Sequence, residues 1–412
     1  MNVLFLSQIV PYPPHGGVLQ RGYNVIRELH KRGRVHLLAF LHPDTLTTAE
    51  AVAESQRELG RYCESIEYFS LWPKRNRVTR AVAFAVGALW PGPFSVLAHR
   101  SRALRARAAE RLVTGAFDIV HYDTIALAQY LPRRRRQPAI VTHHNIESQL
   151  MARRAAAETS APARWYVGTQ ADRLRRYEAR HSARFDMNIV MSEPDAAQLR
   201  AIAGPVPMAL VPNGVDTEYF VPRPGSETPA LIYTGGMNMF ANRDAVSYFI
   251  EQMWPRIRAA VPEARFYAVG QDPSAELRRA ATPESGVIVT GYVDDVRPYV
   301  ARSAVYVVPL RVGGGTRLKV VDAMAQGKAI VSTSIGCEGI DVTHGENIRI
   351  ADDPAAFAEQ CVGLLRDPIA RARLGVAARR LAENRYAWPA IGDRLQAAYE
   401  QAAENFQHLA LR

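Results

Sequence analysis

A glycine-rich segment followed by two cations carries the clearest chemistry in this sequence of 412 residues. The segment consists of Gly313, Gly314, Gly315, Thr316, Arg317 and Lys319. The pattern predicts a loop, then a helix capped by Thr316 that carries both cations in its first turn. A helix N-terminus has partial positive charge, so cations there are unfavourable unless an anion neutralises them. Because glycine loops also bring backbone amides close to phosphate, the segment predicts a diphosphate site.

Asp322 follows Lys319 by three residues, which places both side chains on one face of the predicted helix. A carboxylate there can accept hydrogen bonds from both hydroxyls of a ribose. The alternative is a solvated loop in which Lys319 and Asp322 form a surface ion pair. The sequence contains neither G-x-x-x-x-G-K-[ST] nor G-x-G-x-x-G, which argues against a P-loop NTPase and a dinucleotide dehydrogenase.

Short β-branched runs alternate with helical patterns along the chain, which predicts parallel sheets covered on both faces. Ligands of such sheets bind at the carboxyl ends of the strands. In the first half, polar residues follow the predicted strands at Ser7, Asp123, His143, His144, Ser192 and Glu193. The pattern restarts at 230–236, after a Pro- and Gly-rich segment, 208–229, that is typical of a linker. We therefore predict two α/β domains joined near residue 210.

The net charge of +11 is concentrated in residues 1–212, which hold 29 Lys/Arg and 17 Asp/Glu. This asymmetry indicates an anionic partner, a membrane or nucleic acid, or else solvated arginine-rich helix faces. Few aromatics interleave with the arginines, which disfavours nucleic acid. The apolar stretch 81–98 is broken by Gly87 and Pro91, so it predicts contact with a membrane interface or an ordinary core, not a span. Basic residues flank it at Lys74, Arg75, Arg77, Arg80, Arg100, Arg102, Arg105 and Arg107.

Three scattered cysteines, Cys63, Cys337 and Cys361, form neither a metal spacing nor a disulfide framework, which fits a reducing cytoplasm. The start, MNVLFLSQIVP, lacks a basic region before its apolar run, so it predicts a first strand and no signal peptide. No Asp-x-Asp spacing is present, and we expect fixed cations and amides in place of a metal ion. The expected location is the cytoplasm, on the inner face of the cell membrane.

Five segments resemble the family 4 retaining glycosyltransferases of the GT-B fold. They are HGG (15–17), VPNGVDTEYF (211–220), TGGMNMFANRDAVSYF (234–249), the long segment 291–340, and RYAWPAIGDRLQAAYEQ (385–401). The resemblance implies two Rossmann-like parallel-sheet domains facing across a cleft. It assigns residues 1–210 to acceptor binding and 211–387 to nucleotide-sugar binding, with a crossover helix at about 388–412 that packs back on the first domain.

The resemblance also implies an activity: transfer of a sugar from a nucleoside diphosphate sugar to a glycan or polyprenyl-linked acceptor, with retention, in bacterial surface polysaccharide assembly. From the residues themselves we expect no cofactor and no nucleic-acid partner. The attack comes from the face of the leaving group, and the diphosphate oxygen takes the acceptor proton. The rival interpretations are a sugar-binding protein of the same fold that has lost catalysis and a nucleotide-sugar 2-epimerase.

Site residues follow from the matched segments. The resemblance places Gly16, Gly17, Asn242, Gly315, Thr316, Arg317 and Lys319 near the donor diphosphate, Asp322, Tyr292 and Val293 near the ribose and base, and Gly313, Gly314 and Glu338 near the sugar. The alternative interpretation of Tyr292 is a position in the hydrophobic core, and the alternative interpretation of Glu338 is a role in stabilising a turn. A histidine of the pair His143 and His144 contacts the donor sugar or acceptor. Strand alternation lets only one point into the cleft, and we favour His144.

Two departures from the family pattern stand out. Many relatives carry an E-x7-E pair, whereas here the first position is Gly314 and the second is Asp322. The Arg and Lys that many relatives place after the first strand of the second domain are absent, and Asn242 stands near the Lys position. We therefore expect Arg317 and Lys319 to take over neutralisation of the diphosphate.

Overall fold

The computed structural model describes residues 1–14, 16–42, 44–71, 77–223, 228–312 and 317–410. Internal contacts divide the chain into two compact units. The first unit comprises Met1–Pro212 together with Gly392–Arg412, and the second comprises Asn213–Ile391. The last helix therefore begins in the second unit and continues in the first.

The first unit is built on a seven-stranded sheet in the order β3-β2-β1-β4-β5-β6-β7. Its strands are β1 Asn2–Ser7, β2 Arg34–Leu41, β3 Ser65–Ser70, β4 Ile119–Tyr122, β5 Ala139–His143, β6 Met187–Val190 and β7 Met208–Leu210. All neighbouring strands pair in parallel. Strands β1, β4 and β5 are almost completely buried and β2 is buried over most of its length, as expected for strands covered on both faces.

The second unit repeats this plan with a six-stranded sheet in the order β10-β9-β8-β11-β12-β13. Its strands are β8 Thr228–Thr234, β9 Arg265–Val269, β10 Val287–Gly291, β11 Ser303–Val308, β12 Ala329–Ser332 and β13 Arg349–Ile350. These pairs are also parallel. Two Rossmann-like parallel-sheet units confirm the predicted fold class.

Helices connect the strands in both units. In the first they are α1 Gly17–His30, α2 Ala49–Leu59, α3 Arg77–Leu89, α4 Phe94–Ala98, α5 Arg102–Thr114, α6 Glu147–Ala157, α7 Ala161–Ser182 and α8 Glu193–Ala203. Later helices are α9 Phe240–Tyr248, α10 Trp254–Ala260, α11 Ala275–Ala280, α12 Arg297–Arg302, α13 Leu318–Ala325, α14 Pro354–Arg366, α15 Pro368–Leu381 and α16 Trp388–Ala410. Among the described residues, no helix combines the length and apolar character needed to cross a membrane.

Two local predictions differ from the structure. The segment 208–229 is not all linker, because Met208–Leu210 forms strand β7 and pairs with β6. A three-residue edge strand is too short to show an alternating pattern. Helix α13 begins at Leu318, and Arg317 occupies its N-cap position without a side-chain capping bond. The predicted cap, Thr316, lies outside the described residues.

Candidate functional site

Both sheets reverse their strand order beside their first strand. β1 lies between β2 and β4, and β8 lies between β9 and β11. In open parallel sheets, ligands bind outside the carboxyl ends of the strands at this reversal point. The residues that end β1 and β8 are Ser7 and Thr234. The topology therefore defines one candidate binding edge in each unit.

The amine of Lys319 lies against Tyr233 and Asn242 at the edge of the second sheet. Its Nζ donates hydrogen bonds to Tyr233 Oη at 2.6 Å and Asn242 Oδ1 at 2.9 Å, and lies 4.0 Å from the centre of the Tyr233 ring. The Tyr233 hydroxyl donates to the same Asn242 oxygen at 2.7 Å. The Asn242 amide nitrogen donates to the Gly236 carbonyl at 2.8 Å. Asn242 thus anchors the Lys319 amine to the loop that follows β8.

Gly235 makes room for this amine. Its φ of 153° is positive, and a Cβ at this position would lie 2.6 Å from Lys319 Nζ. A side chain would therefore strain the backbone and collide with the cation. The close approach of the Lys319 amine explains the first glycine of the TGG segment, Gly235.

The Lys319 amine lies inside the fold without a balancing carboxylate among the described residues, and the residue as a whole is half-buried. Among the residues that the structure describes, no carboxylate lies within ion-pair distance of it, so the alternative of a Lys319–Asp322 surface pair is not observed. Burial lowers the pKa of Lys319 to about 7, and the charge of Arg317 contributes to the shift. A diphosphate at this edge would supply the missing negative charge and return the amine to its protonated form.

Asp322 contributes a second buried charge on the same helix. Its Oδ1 is buried and has no hydrogen-bond partner among the described residues. Burial raises the pKa of Asp322 to about 7. Burial, with Asp322 nearby, also raises the pKa of Tyr306, whose hydroxyl lies 2.5 Å from Thr234 Oγ1. A buried acceptor oxygen without a donor fits a ligand hydroxyl, which a ribose would supply.

We expect Asp322→Asn to weaken the binding of a nucleoside diphosphate about ten- to hundredfold, because a charge-assisted hydrogen bond contributes about 1.5–3 kcal/mol. Binding of pyrophosphate, which has no ribose, should change less than about threefold by the same argument. Calorimetric titration of both ligands measures the difference. Equal losses for the two ligands would show that Asp322 acts only by positioning Lys319.

Arg317 and Glu338 meet at the end of β12. The Arg317 guanidinium is 7% exposed, and its Nε donates to the Ile335 carbonyl at 3.3 Å. Its terminal nitrogen lies 3.8 Å from Glu338 Oε2, and the Glu338 side chain is 37% exposed. The structure therefore brings the predicted diphosphate cation and the predicted sugar ligand together. The same contact is compatible with a role of Glu338 in the turn.

The remaining predicted donor residues are placed as follows. Tyr292 is 71% exposed, which excludes its core alternative and leaves its ring available for stacking on a base. Val293 is partly buried and packs against the core of the second unit. Gly313, Gly314, Gly315 and Thr316 lie outside the described residues. In the first unit, Gly16 and Gly17 are exposed at the start of α1, and Gly16 has a φ of 87° that favours glycine.

Ser7, Asp123 and His144 meet at the carboxyl edge of the first sheet. The Ser7 hydroxyl donates to Asp123 Oδ2 at 3.3 Å, and Asp123 Oδ1 lies 3.2 Å from His144 Nε2. These residues follow or end β1, β4 and β5, which are neighbours in the sheet. The buried Asp123 carboxylate therefore lies beside the His144 imidazole at this edge, within ion-pair distance, whereas His144 Nε2 has no hydrogen-bond partner among the described residues.

His143 points the other way. It is 2% exposed, and its Nε2 lies 3.0 Å from Asn188 Oδ1 on the adjacent strand β6. Burial lowers the pKa of His143 to about 4, so the ring is neutral at pH 7. The structure thus separates the pair into one internal histidine, His143, and one histidine at the sheet edge, His144.

A buried hydrogen-bonding network lies behind this edge and was not predicted from the sequence. The His121 ring lies 2.8 Å from Thr142 Oγ1 and contacts the Tyr399 hydroxyl of α16. Burial lowers the pKa of His121 to about 3. The contact of Tyr233 with Lys319 was also not predicted from the sequence. Neither residue carries a local signal, because each acquires its partner only when distant segments pack together.

A cavity of about 990 Å³ opens beside His144 in the first unit. It reaches from His144, Asn145 and Glu147 to helices α6 and α7. Its apolar lining includes Leu150, Met151, Trp165, Tyr166, Val167 and Leu174. Within the described part of the chain, no group of three or more His, Cys, Asp or Glu residues is arranged to hold a metal ion.

Two family models match the chain. A model described as Glycosyltransferase Family 4 matches residues 15–219, and one described as Glycosyl transferases group 1 matches residues 228–367. The chain belongs to glycosyltransferase family 4. Within this family 4 chain, the Glycosyltransferase Family 4 model covers most of the first unit. The group 1 model covers strand β8, which carries Tyr233, and helix α13, which carries Lys319 and Asp322.

Two relatives share part of the sequence. An "uncharacterized 44.6 kDa protein in cps region" of Klebsiella pneumoniae is 26% identical over 139 residues, which cover 32% of this chain and 36% of the relative. The second relative is a GDP-mannose-dependent monoacylated alpha-(1-6)-phosphatidylinositol monomannoside mannosyltransferase of Corynebacterium glutamicum. It is 28% identical over 206 residues, which cover 45% of this chain and 54% of the relative. The matches thus span about a third to a half of the length of these relatives.

Solved structures match nearly the whole family 4 chain. Sucrose-phosphate synthase of Thermosynechococcus elongatus superposes with a TM-score of 0.67 at 19% identity, covering 97% of this chain and 99% of that one. Anabaena HepE in complex with UDP and glucose gives a TM-score of 0.64 at 16% identity, with the same coverage. These likenesses confirm the GT-B fold.

Proposed function

We propose that this family 4 protein transfers a sugar from a nucleoside diphosphate sugar to a glycan or lipid-linked acceptor, with retention. The single observation that carries the proposal is the Lys319 amine, which is buried without a balancing carboxylate among the described residues at the reversal point of the second sheet. A cation in this state favours a multiply charged anion. Asp322 beside it adds an acceptor for ribose hydroxyls.

The second unit would then stabilise the leaving group. Sugar transfer breaks the bond between the anomeric carbon and a diphosphate oxygen, and negative charge develops on that oxygen. Lys319 and Arg317 supply two positive charges for it. The acceptor oxygen forms a bond to the same face of the anomeric carbon, and its proton passes to the departing diphosphate oxygen. No protein base is required, and His144 in the first unit would position the acceptor hydroxyl.

A role in surface polysaccharide assembly is the finer part of the proposal. Its support is the partial match to a protein in a cps region, together with the resemblance of the sequence motifs. A lipid-linked acceptor is supported by the partial match to a mannosyltransferase acting on a phosphatidylinositol monomannoside. The location follows from the same reasoning, in the cytoplasm at the inner face of the membrane.

The experiment is an assay with radiolabelled UDP-, GDP-, ADP- and dTDP-sugars, with and without membrane lipid extract as acceptor. Transfer or slow hydrolysis of one donor class, lost in Lys319→Met, is the expected result. Interconversion of sugar epimers without transfer would identify a 2-epimerase instead. Nucleotide binding without any turnover would identify a sugar-binding protein that has lost catalysis.

We further propose peripheral contact with an anionic membrane through α3. This helix exposes an apolar stripe of Val78, Val82, Val86 and Leu89, exposed by 70%, 47%, 40% and 88%. The spacing places these residues on one face of the helix. The basic cluster Arg100, Arg102, Arg105 and Arg107 follows in the chain. An apolar face near basic residues is typical of proteins that lie in a membrane interface. Lys74 and Arg75 lie outside the described residues.

We expect wild-type protein to cosediment with vesicles of anionic phospholipid at low salt and to be released at high salt, since each Lys or Arg near the surface contributes about 1 kcal/mol. The double variant Val82→Asp/Val86→Asp should bind at least about tenfold more weakly, because it removes apolar contact and adds charge. Ile369→Asp/Val376→Asp is the matched control, as Ile369 and Val376 are 81% and 71% exposed on α15 in the second unit. Wild-type protein that stays in the supernatant at low salt would refute membrane contact.

A further inference from the structure

The apolar cavity beside His144 has the dimensions of a ligand site. Its volume of about 990 Å³ lies at the upper end of the range of about 300–1,000 Å³ that small-molecule sites occupy. Leu150 and Met151 contribute from α6, and Val167 and Leu174 contribute from α7. A void of this size with such walls favours hydrocarbon over water.

One wall of this cavity is polar. Gln8, His144, Asn145 and Glu147 line it, and they follow strands β1 and β5 at the carboxyl edge of the sheet. Glu147 Oε1 accepts a hydrogen bond from Thr124 at 3.0 Å, and burial raises the pKa of its carboxyl group. The cavity therefore joins a long apolar space to a group of hydrogen-bonding side chains that includes His144.

Some of the residues that line the cavity also reach the protein surface. Leu150 and Trp165 line the cavity and are 42% and 68% exposed. Ala88 also lines it, and its neighbour Leu89 is 88% exposed on the apolar stripe of α3. Ala88 thus joins the cavity lining to the helix that carries the stripe that we propose faces the membrane. Arg154, Glu158 and Ser160 also line the cavity, so its largely apolar wall includes polar side chains there as well.

We infer that this cavity binds the hydrocarbon chain of a lipid-linked acceptor, with the polar head of the acceptor directed to His144 and Glu147. The inference rests on the proposed function and specifies its acceptor class. The occupant is an amphiphile taken up as a single molecule, because the cavity wall combines apolar helices with one polar edge. Bulk membrane lipid would instead be held by the outer face of α3.

The test is calorimetric titration with prenyl monophosphates of 10, 15 and 20 carbons, each below its critical micelle concentration. Wild-type protein should bind the 20-carbon compound at least about tenfold more tightly than the 10-carbon compound, because each added isoprene unit buries apolar surface. Leu150→Asp and Trp165→Asp should each weaken binding of the 20-carbon compound about tenfold. Both side chains are substantially exposed, so their replacement leaves the core intact.

Ala152→Asp is the matched control, because Ala152 is exposed on α6 and does not line the cavity. Affinity that is independent of chain length, or equal in Leu150→Asp and wild type, would overturn the inference. Binding only to anionic vesicles and not to monomeric prenyl phosphate would overturn it as well. Nucleoside diphosphates are titrated into the same preparations. If nucleotides bind but the affinity for prenyl monophosphates does not depend on chain length, only this inference is refuted. If the affinity depends on chain length but no nucleotide binds, only the proposed donor chemistry is refuted.

Discussion

Lys319→Met is expected to raise the dissociation constant of the preferred nucleoside diphosphate about ten- to hundredfold at pH 7. A charge-assisted hydrogen bond to phosphate contributes about 1.5–3 kcal/mol, and each 1.4 kcal/mol corresponds to tenfold. Methionine replaces the aliphatic part of the side chain without the amine and leaves Tyr233 and Asn242 bonded to each other at 2.7 Å. The fold should therefore persist, and calorimetric titration reports the change in affinity.

The pH dependence gives this prediction a second readout. The pKa of Lys319 is about 7 in the free protein, and a bound anion raises it, so binding takes up a proton. Affinity should therefore fall as the pH rises above 7, because more free protein must then be protonated. Asp322 also titrates near pH 7, so the dependence is measured in Asp322→Asn with and without Lys319→Met.

Lys31→Met serves as the control for net charge, because Lys31 caps the C-terminal end of α1 in the first unit, is half-exposed and pairs with Glu28. It should leave nucleotide affinity unchanged within about twofold, because it removes one positive charge and leaves Lys319 and its partners in place. The same affinity in Lys319→Met and wild type would remove the diphosphate site from α13.

His144→Ala is expected to lower turnover about a hundredfold while nucleotide affinity stays the same. The reason is positional: the His144 ring lies at the sheet edge, 3.2 Å from the buried Asp123 carboxylate, and a misplaced acceptor hydroxyl costs on the order of a hundredfold in rate. The measurement is kcat for sugar transfer, or for donor hydrolysis if no acceptor is supplied, beside calorimetric titration of the nucleotide.

His143→Ala separates this effect from loss of structure. It removes the partner of Asn188 from a buried position, so it should lower the free energy of unfolding by about 1–3 kcal/mol. Turnover per folded molecule should remain within about threefold of wild type, because a neutral internal ring does not reach the ligand. If His143→Ala lost as much turnover as His144→Ala, the division of roles between the two histidines would be wrong.

The strands could be predicted from sequence because parallel strands covered on both faces leave near-continuous runs of Val, Ile and Leu, as in Ile119–Tyr122 and Ser303–Val308. Strand β7 could not, since three residues at a sheet edge show no periodicity. The anion site at the start of α13 could be predicted because Arg317 and Lys319 go against the preference of a helix start for acidic residues.

The environment of these cations was not accessible from sequence. Tyr233 lies 86 positions from Lys319, and only the packing of α13 beside strand β8 brings its hydroxyl to the amine. The same holds for Asp123 and His144, whose contact depends on the adjacency of β4 and β5. Side-chain types and local spacing indicate the chemistry, whereas burial and the resulting pKa shifts arise from packing of distant segments.

The most direct test of the donor site is calorimetric titration of UDP, GDP, ADP and dTDP into wild-type protein and Lys319→Met in parallel. We expect at least one nucleoside diphosphate to bind wild type and the same nucleotide to bind Lys319→Met about ten- to hundredfold more weakly. Failure of all four to bind wild type, or equal binding to both proteins, would contradict this expectation.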